Sequence, residues 1–261
     1  MQEYIKIDEQ IHQLTQTLAK FGRSFADQKS DDSHTNLNLD LIGKTIWGRW
    51  AKLNNGEYIL GLNLETLQFI LLNKNQELVA NFDISGKTQG AVEQEIASFL
   101  STNLNADEQD FLKPLHFEIP TYAFINDPVQ PFKRDTLSSW LKYRQLANDV
   151  CQLMANHLNL EAETRIWPHH FDTGLYVEAT DELGIGFGWA MADKMHPGPY
   201  YYFAIYGLNG HKPDYTTVQP LSIGNWSISD KWKGAVLPIQ ESNLDNCLTF
   251  IKETTSWALK K

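Results

Sequence analysis

The run "IWPHHFDTG" (166–174) sets His169, His170 and Asp172 within four residues. Imidazole and carboxylate groups this close suit divalent-metal ligation or general acid–base catalysis. Along an extended strand, alternate side chains share a face. His170 and Asp172 then fall together, about 6.5 to 7 Å apart at Cα. His169 falls with Trp167 and Phe171 on the apolar side, where it reads as a structural histidine. The loop "DKMHPG" (193–198) returns to the same end of an antiparallel sheet, so Asp193 or His196 could join His170 and Asp172 on a metal. Zinc or a harder ion takes three or four such groups. Glu178 is excluded, being about 26 Å along the same strand.

The acid–base reading meets an obstacle. A His170–Asp172 pair can serve as an oriented base, yet no nucleophile is identifiable: there is no GxSxG, and neither Cys151 nor Cys247 falls on this face. HExxH and P-loop patterns are also missing, and "GIGFG" (184–188) belongs to a strand pattern.

The elements that must position these residues can be registered. "RIWPHHFDTGLYVEA", "GIGFGWAMA" and "YYYFAIYG" alternate as strands. Matching their apolar faces puts Val177 beside Ile185, Leu175 beside Phe187 and Phe171 beside Met191, because a one-residue slip would expose the core set. Tyr201, Phe203 and Ile205 continue that core face. The opposite face then collects Gly184, Gly186 and Gly188 as a floor, with Tyr176, Tyr200, Tyr202 and Tyr206 as walls. His170, beside Ala192, and Asp172, beside Ala190, stand at one end. A glycine row marks close approach by a ligand or another backbone, and tyrosines supply apolar area with a polar tip. Tyr176, Gly186, Gly188, Tyr200 and Tyr202 are therefore candidate small-molecule contacts, the other reading being that a helix of the chain fills the groove. Pro197–Gly198 is expected in a type II turn. The tryptophans at 47, 50, 226 and 232 admit sugar stacking but read first as buried strand aromatics.

Composition limits the function classes. The 261 residues carry net charge −10, and 42% are hydrophobic. That balance disfavours nucleic acid and anionic membranes as partners. No apolar run reaches 18 residues, and "MQEYIKIDEQ" has no signal-peptide pattern, so a reducing cytoplasm is expected, with both cysteines as core residues. "NWS" (225–227) then means nothing as a glycosylation acceptor. No cofactor is indicated beyond the divalent ion considered above.

Periodicity predicts a helix over 3–21, with Ile7, Ile11, Leu14, Leu18 and Phe21 inward and Gly22 as its C-terminal cap. A polar loop (23–40) follows. The segments "KTIWGRWAKL", "EYILGLNLE", "TLQFILLN" and "ELVANFDI", broken by "NNG" and "NKNQ", predict an antiparallel meander. Next come a helix at 88–104 (Val92, Ile96, Phe99, Leu100 inward) and a strand "LHFEIP" (115–120). A long helix at 136–160 carries a stripe of Leu137, Trp140, Leu141, Leu146, Val150, Leu153, Met154 and His157, the last a core or boundary histidine. A second strand series runs to about Leu237. The last helix, 242–259, would bury Leu244, Leu248, Ile251 and Trp257. The fold class is α+β, with antiparallel sheets flanked by helices. The expected division is an N-terminal α+β half (1–118), a Pro-containing connection (119–134) and a C-terminal α+β half (135–261). Their shared helix–strands–helix order reads as a duplication.

Several of these segments together resemble a family of uncharacterised bacterial proteins of similar length, a domain of unknown function, over about residues 40–261. They are "IWGRW", "ANFDISGKTQGAVEQEIASFL", the Pro-rich stretch before the long helix, the "FD" after it, and "PYYYFAIY". The resemblance implies the order of elements and no activity. The family does not require histidines before "FD", which favours Asp172 over His169 and His170. Three functions follow: a small-molecule-binding protein using the Tyr/Gly face, a hydrolase-type enzyme centred on His170 and Asp172, and a structural or interaction protein without a ligand site.

Overall fold

Apolar side chains at three- and four-residue spacing build α1 (Gln2–Phe25) and bury Ile7, Ile11, Leu14, Leu18 and Phe21. The computed structural model describes residues 1–53 and 56–260. Gly22 does not cap α1, which continues for another turn. Glycine is required there by close approach: a Cβ would sit 2.3 Å from the His34 carbonyl oxygen.

The strands that follow are β1 (Asn38–Asp40), β2 (Thr45–Trp47), β3 (Ala51–Leu53), β4 (Gly56–Asn63), β5 (Gln68–Asn73) and β6 (Leu78–Asp83). They form one antiparallel sheet in the order β1-β2-β4-β5-β6, with β3 also on β4. "KTIWGRWAKL" breaks in two because its ends pair with different parts of β4, and Gly48 N–H donates to Leu60 O at the break. The expected "NNG" turn lies outside the described residues at Asn54 and Asn55. α2 (Gln89–Leu104) starts at a Thr88 side chain that accepts from Ala91 N–H, and it buries Val92, Ile96 and Leu100. A short α3 (Glu108–Leu112) follows. The segment 115–120 is no strand: its exposure alternates, but no strand pairs with it.

α4 (Arg134–Leu158) is the longest helix. Its buried stripe is rotated from the expected one. Trp140, Arg144, Ala147, Val150, Cys151 and Met154 are buried, while Leu141, Leu146 and Leu153 are only half-buried. The arginine occupies a core position that a hydrophobicity pattern assigns to a neighbour. His157, expected on the buried stripe, is exposed on the helix and bonded to Thr255 Oγ1 at 2.9 Å. The second sheet comprises β7 (Arg165–Trp167), β8 (Asp172–Thr180), β9 (Leu183–Ala190), β10 (Tyr200–Gly207), β11 (Asn225–Ile228) and β12 (Lys233–Pro238), in the order β11-β12-β10-β9-β8-β7. α5 (Leu244–Ala258) buries Cys247, Phe250 and Ile251, whereas Leu244 is exposed and Trp257 half-buried. The fold is α+β, with two six-stranded antiparallel sheets. No helix of the described residues is long and apolar enough to cross a membrane.

Two compact units emerge, and their division differs from a cut at 119–134. The N-terminal unit is 2–141 plus 166–171; the C-terminal unit is 142–165 plus residues from 172 onward. The first turns of α4 belong to the N-terminal unit, where Trp140 Nε1–H donates to buried Asp8 Oδ1 at 2.7 Å. So does the segment 166–171, through a backbone bridge between Leu37 and Ile166.

Candidate functional site

The motif that opened the sequence reading is not a continuous strand. β7 ends at Trp167, residues 168–171 form a turn, and β8 starts at Asp172. Phe171 closes the turn with φ 54°, and its N–H donates to Trp167 O. His170 is exposed in that turn, so the alternation that would put it on Asp172's face, opposite Ala192, does not apply.

Within the N-terminal unit, the left-handed Phe171 backbone is held by packing. Its buried ring stacks on His12 (5.1 Å, 9°) and on Trp140 (6.3 Å, 19°). His12 is fully buried. Its Nε2 lies 2.8 Å from Pro168 O and its Nδ1 2.7 Å from Tyr122 Oη. A carbonyl only accepts, so Nε2 carries a proton, and in the neutral ring Nδ1 accepts from the tyrosine. Burial, then the carboxylates of Glu9 and Asp8, raise the Tyr122 pKa and keep that hydroxyl protonated.

His169 is half-buried against Phe117 and His170, with ring centroids at 5.6 and 4.3 Å. Burial first, and His170 second, lower its pKa from the ordinary 6.5 to about 4. The unfolded chain therefore binds the extra proton between those values, and stability falls as pH drops from about 6.5 towards 4. Melting curves over that window should show wild type losing more stability than His169→Gln. Parallel curves would remove His169 as the cause.

In the C-terminal unit the three-strand register is as expected. Val177 pairs with Ile185, Leu175 with Phe187, Gly174 with Gly188 and Tyr176 with Gly186. Across β9 and β10, Tyr200 pairs with Ala190, Tyr202 with Gly188 and Tyr206 with Gly184. One face is core: Leu175, Val177, Ile185, Phe187, Trp189, Tyr201 and Phe203 are all buried.

On the other face the glycine floor is covered by the tyrosines themselves. A Cβ on Gly184 would lie 2.2 Å from Tyr176 Oη, one on Gly186 3.0 Å from Tyr206 Cε2, and one on Gly188 2.9 Å from Tyr202 Oη. At Gly184 and Gly186 the approaching atoms are tyrosine side-chain atoms, whereas at Gly188 the neighbouring strand comes closer still, with Thr173 O at 2.6 Å. At the β8–β9 turn end the rings face solvent: Tyr176 and Tyr206 are 43% and 48% exposed and meet edge to face at 5.9 Å.

The other end is closed. Tyr202 Oη donates to Asp172 Oδ2 at 2.5 Å, and Tyr200 Oη to Asp193 Oδ2 at 2.8 Å. Burial, and then the partner carboxylate, push both hydroxyls above their ordinary range. These tyrosines are held as donors. The β9–β10 connection is organised by Asp193, whose Oδ1 accepts from Met195 N–H (2.7 Å) and His196 N–H (3.1 Å). It is not a type II turn, because Gly198 lacks the positive φ that such a turn demands.

Among the described residues no group of three or more His, Cys, Asp or Glu side chains is placed to hold a metal ion. His196 instead directs Nδ1 at the Gly198 backbone. Both cysteines are free and buried. Burial raises the Cys151 thiol and pushes the Cys247 thiol up to about 12, so neither is a poised nucleophile.

Sequence reasoning missed Arg144, which is fully buried with Nη1 donating to Thr173 Oγ1 at 2.9 Å. A charged residue at the i+4 position from Trp140 was the available signal.

No protein-family model, curated protein or solved structure matches this chain.

Proposed function

We propose that this is a small-molecule-binding protein whose contact surface is the outer face of the C-terminal sheet, with Tyr176 and Tyr206 as stacking groups. The observation that carries the reading is the half-exposed, edge-to-face tyrosine pair laid over Gly184 and Gly186. Aromatic area on a strand scaffold is held open at little entropic cost, and it favours a flat or CH-rich ligand whose polar groups meet the phenol tips. Chemistry at this face is disfavoured: Tyr200 and Tyr202 are engaged by carboxylates, His170 lies off the strand, and both thiols are protonated.

The test is saturation-transfer NMR with neutral probes: indole, caffeine and methyl glucoside. Binding of at least one is expected, weakened about three- to tenfold by Tyr176→Ala or Tyr206→Ala, with the melting temperature unchanged. Wild-type affinity in the double variant, or no binding by any probe, would sink the platform.

A further inference from the structure

The C-terminal unit also carries an aromatic corner beside an open groove. β11 sends Trp226 to the core side of the sheet, in register with Ala235 and, one strand further, Phe203. There it meets Trp257 of α5, with ring centroids at 4.6 Å and planes at 64°. Tyr215 closes the corner at 5.1 Å from Trp257 and 6.4 Å from Trp226. Both indole N–H groups are used internally: Trp226 Nε1–H donates to Gln219 O at 2.8 Å and Trp257 Nε1–H to Thr217 Oγ1 at 3.2 Å. The two rings are therefore fixed in orientation while remaining half-buried.

They line an open groove of about 780 Å³, together with Pro220, Leu221, Lys252 and Lys260. That volume lies within the usual range for small-molecule sites. The charges in it are unequal. Glu253 is occupied, taking Ser222 N–H at 2.9 Å and Ser222 Oγ–H at 2.5 Å. Lys252 and Lys260 are exposed, and neither is ion-paired among the described residues. In a chain of net charge −10, two lysines against the one carboxylate of Glu253 leave the groove with a local excess of positive charge beside two fixed indoles. By contrast, the N-terminal unit has a cavity of about 300 Å³ whose amides bond to one another, Gln13 Nε2–H to Gln89 Oε1 at 2.9 Å.

We infer that the Trp226–Trp257 groove binds a planar aromatic anion, its ring stacked on the indoles and its negative group between Lys252 and Lys260. A nucleobase carrying a phosphate and an aryl carboxylate share this chemistry. The site is independent of the tyrosine platform, so Tyr176→Ala and Tyr206→Ala should leave anion binding here unchanged.

The experiment is a titration of the ¹⁵N-labelled full chain with AMP, 2-naphthoate and, as neutral controls, adenosine and 2-naphthylmethanol. The indole N–H signals of Trp226 and Trp257 are assigned with Trp226→Phe and Trp257→Phe. At least one anion should shift both signals saturably. The neutral counterpart should bind at least about tenfold more weakly, and Lys252→Gln with Lys260→Gln should lower anion affinity by about tenfold. The arm that saturates identifies phosphate or carboxylate as the preferred group. No shift by either anion at millimolar concentration, or equal affinity for the neutral partners, would overturn the inference. So would wild-type affinity in the lysine double variant.

Discussion

His12→Ala should cost about 3 to 5 kcal/mol of unfolding free energy, read from urea denaturation at neutral pH. The substitution removes the bond to the Tyr122 hydroxyl and one of the two bonds to the Pro168 carbonyl, which keeps Gln16 Nε2–H, and it opens a cavity where the imidazole is fully buried. A buried polar group that loses its partner costs about 1 to 3 kcal/mol, and truncating a large buried side chain adds a cavity cost of similar size. It also removes the ring on which Phe171 stacks, and with it part of what holds that residue at φ 54°. Tyr122→Phe should cost about 1 to 2 kcal/mol, because it removes only the bond to His12 Nδ1. In the double variant the losses should fall short of their sum, since the His12–Tyr122 bond is removed once. Strict additivity would show that the bond contributes nothing.

Arg144→Ala should destabilise the protein by a similar amount, about 3 to 5 kcal/mol. The side chain is fully buried, so truncation opens a large cavity in the C-terminal unit and deprives Thr173 Oγ1 of its donor. Arg144→Lys should recover only part of the loss, because an ammonium cannot reproduce the planar fork of a guanidinium. A loss below about 1 kcal/mol for the alanine variant, as for an exposed charge, would contradict the burial.

The two predictions fall on residues that the sequence treats unequally. His12 lies beside Ile11 on α1 and carries no local signal, because its partners, Tyr122 and Pro168, are more than a hundred positions away. Arg144 is absent from the expected stripe because hydropathy scores the side chain and not its neighbours. Where a pattern reports burial directly, it was legible. The β8–β9–β10 register follows from aligning apolar faces, and the glycine row follows from the same alternation. What alternation cannot reveal is that a tyrosine two residues out of register with a glycine lies diagonally across it, as Tyr176 does on Gly184. The strand read through "WPHHFD" failed for a related reason. A non-glycine residue in the left-handed region is rare and costs about 1 to 3 kcal/mol, so sequence patterns do not anticipate it; here the stacking around Phe171 holds it in place.

The six residues 166–171 bear on how the protein can be dissected. They are counted with a unit whose remaining residues end at Leu141, so neither unit is one uninterrupted stretch of chain. A gene fragment stopped between Asp83 and Pro168 would encode α1 and the first sheet, but it would lack the carbonyl that His12 and Gln16 both engage. Fragments cut at the Pro-containing connection, the place where a designer would first divide the gene, would also separate Asp8 from the Trp140 indole.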